Sequence, residues 1–244
     1  MHSEYKRIVP GAKTAVLMVH GIAGTPRHFD FLLEVIPPEV SVANILLPGH
    51  GGTSVDFAKA SMKLWKQTVT GTLEQLCQTH DRVILVGHSM GTLLTALAAK
   101  EQPKVTGALY LNVPLYVYVA PRMVPASLRW CFGRLRPGEL SDEGLRKAAG
   151  VRPDKRLWLY LGWLPRFFEL FALCRECVPI FRELERQTMV FQSERDELVM
   201  RLTARQLRSN PSIRFTELPD CGHFCYTSDA EDQMRRAMQR LLDE

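Results

Sequence analysis

Long apolar runs are what this 244-residue sequence most lacks. The opening MHSEYKRIVPGAK has no apolar stretch, and the run after it, Ala15 to Val19, is too short for a signal peptide or a membrane span. Nothing here directs the chain out of the cytosol, and a cytoplasmic location is the expectation. Cysteine is sparse as well. Six residues in a chain of this length, without a leader, argue for reduced thiols rather than a disulfide scaffold. There is no internal repeat and no low-complexity tract, which sets aside solenoid, collagenous and disordered architectures. No nucleic-acid-binding module or base-stacking pattern accompanies the basic residues, so nucleic acid is not an expected partner.

What is present is ordinary globular usage, 46% hydrophobic and 23% charged, so a packed core is expected. The net charge of +5 is concentrated: residues 114–187 hold thirteen Lys and Arg against eight Asp and Glu, and the rest of the chain is balanced. Short β-branched runs alternate with helical patterns through residue 113, the signature of βαβ units and a parallel sheet. Strands are expected at Thr14–Val19, Ser41–Leu47, Arg82–Val86 and Val105–Asn112, with helices over Phe29–Ile36, Ser61–Gln78 and Met90–Lys100. After Pro114 the rhythm breaks into Pro, Gly, Arg and large aromatics, which predicts turns and short helices. It resumes with strands Thr188–Gln192 and Ile213–Leu218 and helices near Leu198–Arg208 and Ala230–Leu242. The expected organisation is an α/β core of residues 1–113 and 188–244 interrupted by an insertion at 114–187.

The sharpest chemical signal is Gly87-His88-Ser89-Met90-Gly91, directly after the strand RVILV and before the helix-forming TLLTALAAK. A serine on a sharp strand-to-helix turn needs small neighbours two residues away on each side, and its oxygen then sits at a helix N-terminus with free N–H groups. A serine hydroxyl needs a base and an orienting carboxylate, expected in the order Ser, Asp, His. His223, in Cys221-Gly222-His223-Phe224 beyond the last strand, is the candidate base. Asp196, in SERDELV four residues past TMVFQ and 27 residues before His223, is the candidate acid. Glu194 and Glu197 compete for that role but read as surface carboxylates. Acyl transfer also needs N–H donors for an oxyanion. Met90 follows the nucleophile, and Ile22 sits in the Gly-rich loop His20-Gly21-Ile22-Ala23-Gly24 after the first main strand. Of the other histidines, His20 and His88 read as packing groups beside these turns, His50 as a structural hydrogen-bonder, His28 as undecided, and His2 and His80 as solvated surface.

Taken together, VHGIAGTP, LLPGHGGTS, VGHSMG, the SERDELV carboxylate and the CGHF histidine resemble the α/β-hydrolase superfamily, over about residues 14–113 and 188–242. The nearest similarity is to small bacterial carboxylesterases and monoacylglycerol lipases. The resemblance implies an α/β-hydrolase fold with a mostly parallel sheet of six or seven strands and a helical cap. It also implies a serine hydrolase of carboxylic esters working through an acyl-enzyme, with no cofactor or metal, and an oxyanion hole from the N–H groups of Ile22 and Met90. Ser193 departs from the pattern, standing where the acid turn usually has Gly. The same triad serves thioester, C–C and peptide bond cleavage, and these remain open. A non-catalytic lipid or small-molecule binder on the same fold is disfavoured because all three triad positions are filled.

Substrate choice is expected to lie in the insertion. Leu157–Cys174 (LWLYLGWLPRFFELFALC) is broken by Pro165, Arg166 and Glu169 and reads as cap helices rather than a span. Its aromatics, Trp158, Trp163 and Phe168 foremost, are candidates to line an acyl pocket, and the alternative is that they form the cap's own core. The expected partner is a small-molecule ester or lipid. The basic excess supports at most transient contact with a membrane surface. Cys174-x-x-Cys177 and Cys221-x-x-x-Cys225 do not read as a zinc site, because a metal would block His223.

Overall fold

A computed structural model describes residues 3–244. In chain order its elements are β1 (Tyr5–Arg7), β2 (Thr14–Val19), a 3₁₀ turn (Pro26–Phe29) leading into α1 (Asp30–Leu33), β3 (Ser41–Ile45), α2 (Ser54–Lys59), α3 (Met62–Thr79), β4 (Arg82–His88) and α4 (Met90–Ala98). They continue with β5 (Val105–Leu111), α5 (Met123–Cys131), α6 (Leu140–Ala148), a 3₁₀ helix (Leu157–Trp163), α7 (Leu164–Arg182), β6 (Gln187–Ser193), α8 (Arg201–Arg208), β7 (Ile213–Leu218) and α9 (Ser228–Asp243). The seven strands make one sheet in the order β1-β3-β2-β4-β5-β6-β7, parallel throughout except for β1, which pairs antiparallel with β3.

Alternation along the strands divides the core between the two faces of the sheet. Ala15, Leu17, Val19, Val83 and Leu85 point to the face covered by α3, α4, α7 and α8, whereas Val16, Met18, Ile84 and Val86 face α1 and α9. Because both faces are buried, these strands read as continuous apolar runs, which is why they were legible in the sequence. β1 was not, since Tyr-Lys-Arg on an exposed edge carries no apolar pattern. Its Arg7 guanidinium instead donates to the carbonyls of Pro37 and Val40. The short α2 is held by a reciprocal cap, with the Asp56 N–H donating to Thr53 Oγ1 and the Thr53 N–H to Asp56 Oδ2.

Between β5 and β6 the chain is helical, and α7, at 19 residues, is longer than the short helices expected there. Its Leu170, Leu173, Cys174, Cys177 and Phe181 are buried, and the helix packs on α3 and α4. The six cysteines are all unpaired. His80 corrects an expectation. It is buried rather than solvated, because it closes the C-terminus of α3, its Nδ1–H donating to the Leu76 carbonyl while Nε2 meets the Ser41 hydroxyl at 2.8 Å. His2 lies outside the described residues.

Candidate active site

The strand order reverses direction around β2 and β4, and the loops leaving the C-terminal ends of these strands part to form a crevice, the usual place for a ligand in an open α/β sheet. Ser89 sits there between β4 and α4, with φ 51° and ψ −126°, a conformation costly for a residue with a side chain. The flanking glycines make it possible. A Cβ on Gly91 would lie 1.9 Å from the Val19 carbonyl oxygen, and one on Gly87 would lie 2.7 Å from the backbone of Thr92. The turn is thus wedged between β2 and its own helix.

Ser89, His223 and Asp196 come together although 107 and 27 residues separate them in the chain. His223 Nδ1–H donates to Asp196 Oδ2 at 2.8 Å, which leaves Nε2 to accept the Ser89 Oγ–H at 2.9 Å. All three are buried. Asp196 Oδ1 also accepts the N–H groups of Leu198 and Val199, both at 2.8 Å, so the carboxylate is held on two sides. Ser193, the departure from the usual acid turn, is buried, and its N–H donates to Asn112 Oδ1.

The backbone of His223 is anchored with equal care. Its carbonyl accepts from His88 Nε2–H and Asn112 Nδ2–H, each at 2.9 Å. Its N–H donates to Glu197 Oε2 at 2.8 Å. Here the sequence reading fails for Glu197, which is not a surface carboxylate but is only 2% exposed, turned inward beside the histidine loop; Glu194 is exposed as expected. Asn112, with φ 53°, was missed because a lone Asn at a strand end carries no pattern. Behind these groups His28 stacks on His88 with ring centroids 3.9 Å apart. Burial, reinforced by the neighbouring histidines, holds the pKa of His88 well below the ordinary imidazole range and that of His28 at about 3. Both rings are therefore neutral at physiological pH.

The loop after β2 passes directly against Ser89, since a Cβ on Gly21 would lie 2.9 Å from Ser89 Cβ. His20 shapes it: Nε2 accepts the Leu47 N–H, which fixes the proton on Nδ1, and Nδ1–H donates to the Gly21 carbonyl at 2.8 Å. Ile22 is brought to the site by this loop, and Met90, fully buried, opens α4 on the other side of Ser89. His50 packs edge-on against His20, and its Nδ1–H donates to the Leu47 carbonyl. The insertion reaches this loop too, because the Gly150 N–H donates to the Ala23 carbonyl at 2.7 Å.

Beside this loop opens an apolar cavity of about 490 Å³, walled by Ile22 and Ala23, by Phe224, which follows His223 in the chain, and by Met123, Leu128, Trp130, Leu145, Tyr160, Trp163 and Phe167 of the insertion. Trp163 is therefore in the wall, while Trp158 and Phe168 are outside it, at 66% and 67% exposure. The reason is helical period. Leu157–Trp163 is a 3₁₀ helix with three residues per turn, so Leu157, Tyr160 and Trp163 share the inner face and Trp158 and Leu161 the outer one. In the following α-helix, Phe167 turns inward and Phe168 outward.

A model of the alpha/beta hydrolase family matches residues 16–237, from the first parallel strand to the last helix. The chain belongs to this family. A thermostable monoacylglycerol lipase from Bacillus sp. (strain H-257) is 34% identical over 101 residues, 40% of this chain and 39% of that protein. The alignment thus spans well under half of that relative. Likeness of fold extends further. One of the chains from work on LipS and LipT, two metagenome-derived lipolytic enzymes, superposes with a TM-score of 0.74 at 21% identity, covering 100% of this chain and 98% of that one. The monoacylglycerol lipase of Paleococcus ferrophilus gives 0.66 at 17% identity, covering 98% of each chain. A soluble variant of monoglyceride lipase from Saccharomyces cerevisiae gives 0.68 at 15%, covering 98% of this chain and 90% of that one.

Proposed function

We propose that this hydrolase cleaves carboxylic esters of apolar acyl chains, of the carboxylesterase or monoacylglycerol lipase type, through an acyl-enzyme on Ser89. The observation that carries the reading is the unbroken hydrogen-bond chain from Ser89 Oγ through His223 to Asp196 beside an apolar cavity. Ser89 Oγ attacks the ester carbonyl as His223 Nε2 takes its proton, and the same nitrogen returns the proton to the leaving alcohol. Asp196 holds the ring with its proton on Nδ1 and stabilises the imidazolium. The N–H groups of Ile22 and Met90 meet the oxyanion, the latter from the unpaired first turn of α4. Water then repeats the sequence on the acyl-enzyme. The apolar wall favours an alkyl chain at about 0.8 kcal/mol per methylene removed from water. The apolar cavity and the likeness to monoacylglycerol lipases both support a lipid ester as substrate.

A panel of esters graded by acyl length, with monoacylglycerols and thioesters included, tests the reading together with labelling by a fluorophosphonate. Ser89 is expected to form the phosphonyl adduct, and Ser89→Ala to lose roughly 10⁶ in turnover while unfolding at nearly the wild-type temperature. Retention of a tenth of the activity by the purified variant refutes the nucleophile, and a thioester preferred over every ester refutes the substrate class.

A further inference from the structure

Glu197 is a buried carboxylate that the mechanism above does not use. Its Oε2 accepts the N–H of His223 at 2.8 Å and its Oε1 accepts the hydroxyl of Ser141, in the first turn of α6, at 3.3 Å. A Cβ on Gly222 would lie 3.0 Å from both carboxylate oxygens, so a side chain on the residue preceding the histidine would crowd Glu197. The nearest cation, Arg122 at 3.8 Å, is half exposed, and it also donates to the Arg195 carbonyl. A carboxylate out of water with one amide, one hydroxyl and one half-exposed guanidinium at 3.8 Å gains little net stability from its place. What the carboxylate does achieve is a rigid link. On one side is the backbone of His223. On the other is α6, itself fastened to α5 by the fully buried Asp142, which takes two hydrogen bonds from Arg129 at 2.8 and 2.5 Å and the N–H of Arg136. The middle of α6 leans on the same loop, since a Cβ on Gly144 would lie 3.2 Å from Phe224 Cβ.

We propose that Glu197 is a positioning residue through which α6 of the insertion holds His223 at its distance from Ser89. The proposal rests on the ester-hydrolase reading of Ser89, His223 and Asp196. Without Glu197 the loop loses the carboxylate that accepts the His223 N–H, and a shift of the ring by a fraction of an ångström lengthens the 2.9 Å contact to Ser89. The effect is expected in kcat, because Glu197 itself lines no part of the acyl cavity. It is independent of chain length, because the base acts on every ester.

The test uses the full chain with acetyl and medium-chain esters, the rate of fluorophosphonate labelling, and thermal unfolding. Glu197→Ala is expected to lower kcat on both esters by roughly tenfold to a hundredfold, the scale of a small misplacement of catalytic groups. KM should stay within about twofold and labelling should slow in parallel. Glu197→Gln is expected to recover most of the loss, its amide oxygen accepting the His223 N–H and its amide N–H meeting the Ser141 oxygen. Ser141→Ala is expected to give a smaller fall in kcat, and the double variant less than the product of the two, as for residues in one network. Should Glu197→Ala not fold, Glu197→Gln and Ser141→Ala still decide: a Gln variant reduced tenfold, or a Ser141→Ala variant with unchanged kcat, overturns the proposal. So does a folded Glu197→Ala variant whose kcat stays within twofold of wild type. Failure of the underlying reading is recognised separately, by a wild-type protein that neither labels at Ser89 nor cleaves esters.

Discussion

Replacing Asp196 by Asn is the most searching test of the triad, because the structure decides which way the amide must sit. The Leu198 and Val199 N–H groups both donate to Oδ1 at 2.8 Å. An Asn that turned its NH₂ toward them would face donors with donors and forfeit both bonds, at about 1–3 kcal/mol for each group left unpaired. The amide oxygen therefore stays at Oδ1, and the NH₂ takes the place of Oδ2, 2.8 Å from His223 Nδ1. Although Oδ1 also lies 3.0 Å from Nδ1, the NH₂ occupies the nearer position and repels an Nδ1–H, so the ring proton is expected on Nε2, pointing at Ser89. The nucleophile then has no base. The expected loss is roughly 10⁴ in turnover, as in a serine protease carrying the same change, or about 5.4 kcal/mol of barrier at 1.36 kcal/mol per tenfold. Since the loop keeps both of its N–H bonds, the unfolding temperature should hardly move. Steady-state kinetics on a short ester, paired with fluorophosphonate labelling, measures the effect, and Glu194→Gln on the exposed neighbour serves as the control. More than 1% residual activity in the Asn variant, or a crippled Glu194→Gln, would refute the reasoning.

Three further outcomes follow from packing and burial. Burial holds His50 and His88 neutral, with folded pKa values well below the ordinary 6.5, so the unfolded chain binds more protons below that pH. Stability is fully present above about pH 6.5 and falls with acidification by up to about 1.4 kcal/mol per pH unit for each ring; urea unfolding at pH 7, 6 and 5 measures this, and a flat profile would contradict it. Met123→Ala and Phe167→Ala, in the cavity wall, should flatten the rise in kcat/KM from acetyl to medium-chain esters, whereas Trp158→Ala and Phe168→Ala should leave it unchanged; equal effects from both pairs would place the acyl group elsewhere. Gly150→Ala puts a methyl 1.7 Å from the Gly24 carbonyl oxygen, so the contact between the insertion and the loop carrying Ile22 must open; a fall in kcat of at least about tenfold is expected, and a variant with wild-type kinetics would show that this contact does not hold the oxyanion donor in place.

Most of the fold was legible because parallel strands covered on both faces must be apolar throughout, and runs such as TAVLMV and RVILVGH announce themselves. The turn carrying Ser89 was legible for a local reason. Its strained φ and the contacts of Gly87 and Gly91 arise within a few residues and the adjacent strand, so the pattern G-x-S-x-G carries its own explanation. Sequence order and position after a strand were enough to single out Asp196 and His223, which the structure brings together with Ser89. They were not enough for Glu197, Asn112 or His80, whose neighbours along the chain say nothing of burial. These polar groups are inside because elements far apart in sequence close over them: α6 over Glu197, the histidine loop over Asn112, β3 over His80. The division of the aromatics was likewise a tertiary matter. Trp158 and Trp163 are alike in composition and stand five residues apart, but a 3₁₀ period, not visible in the side chains themselves, sends one to solvent and the other into the cavity wall.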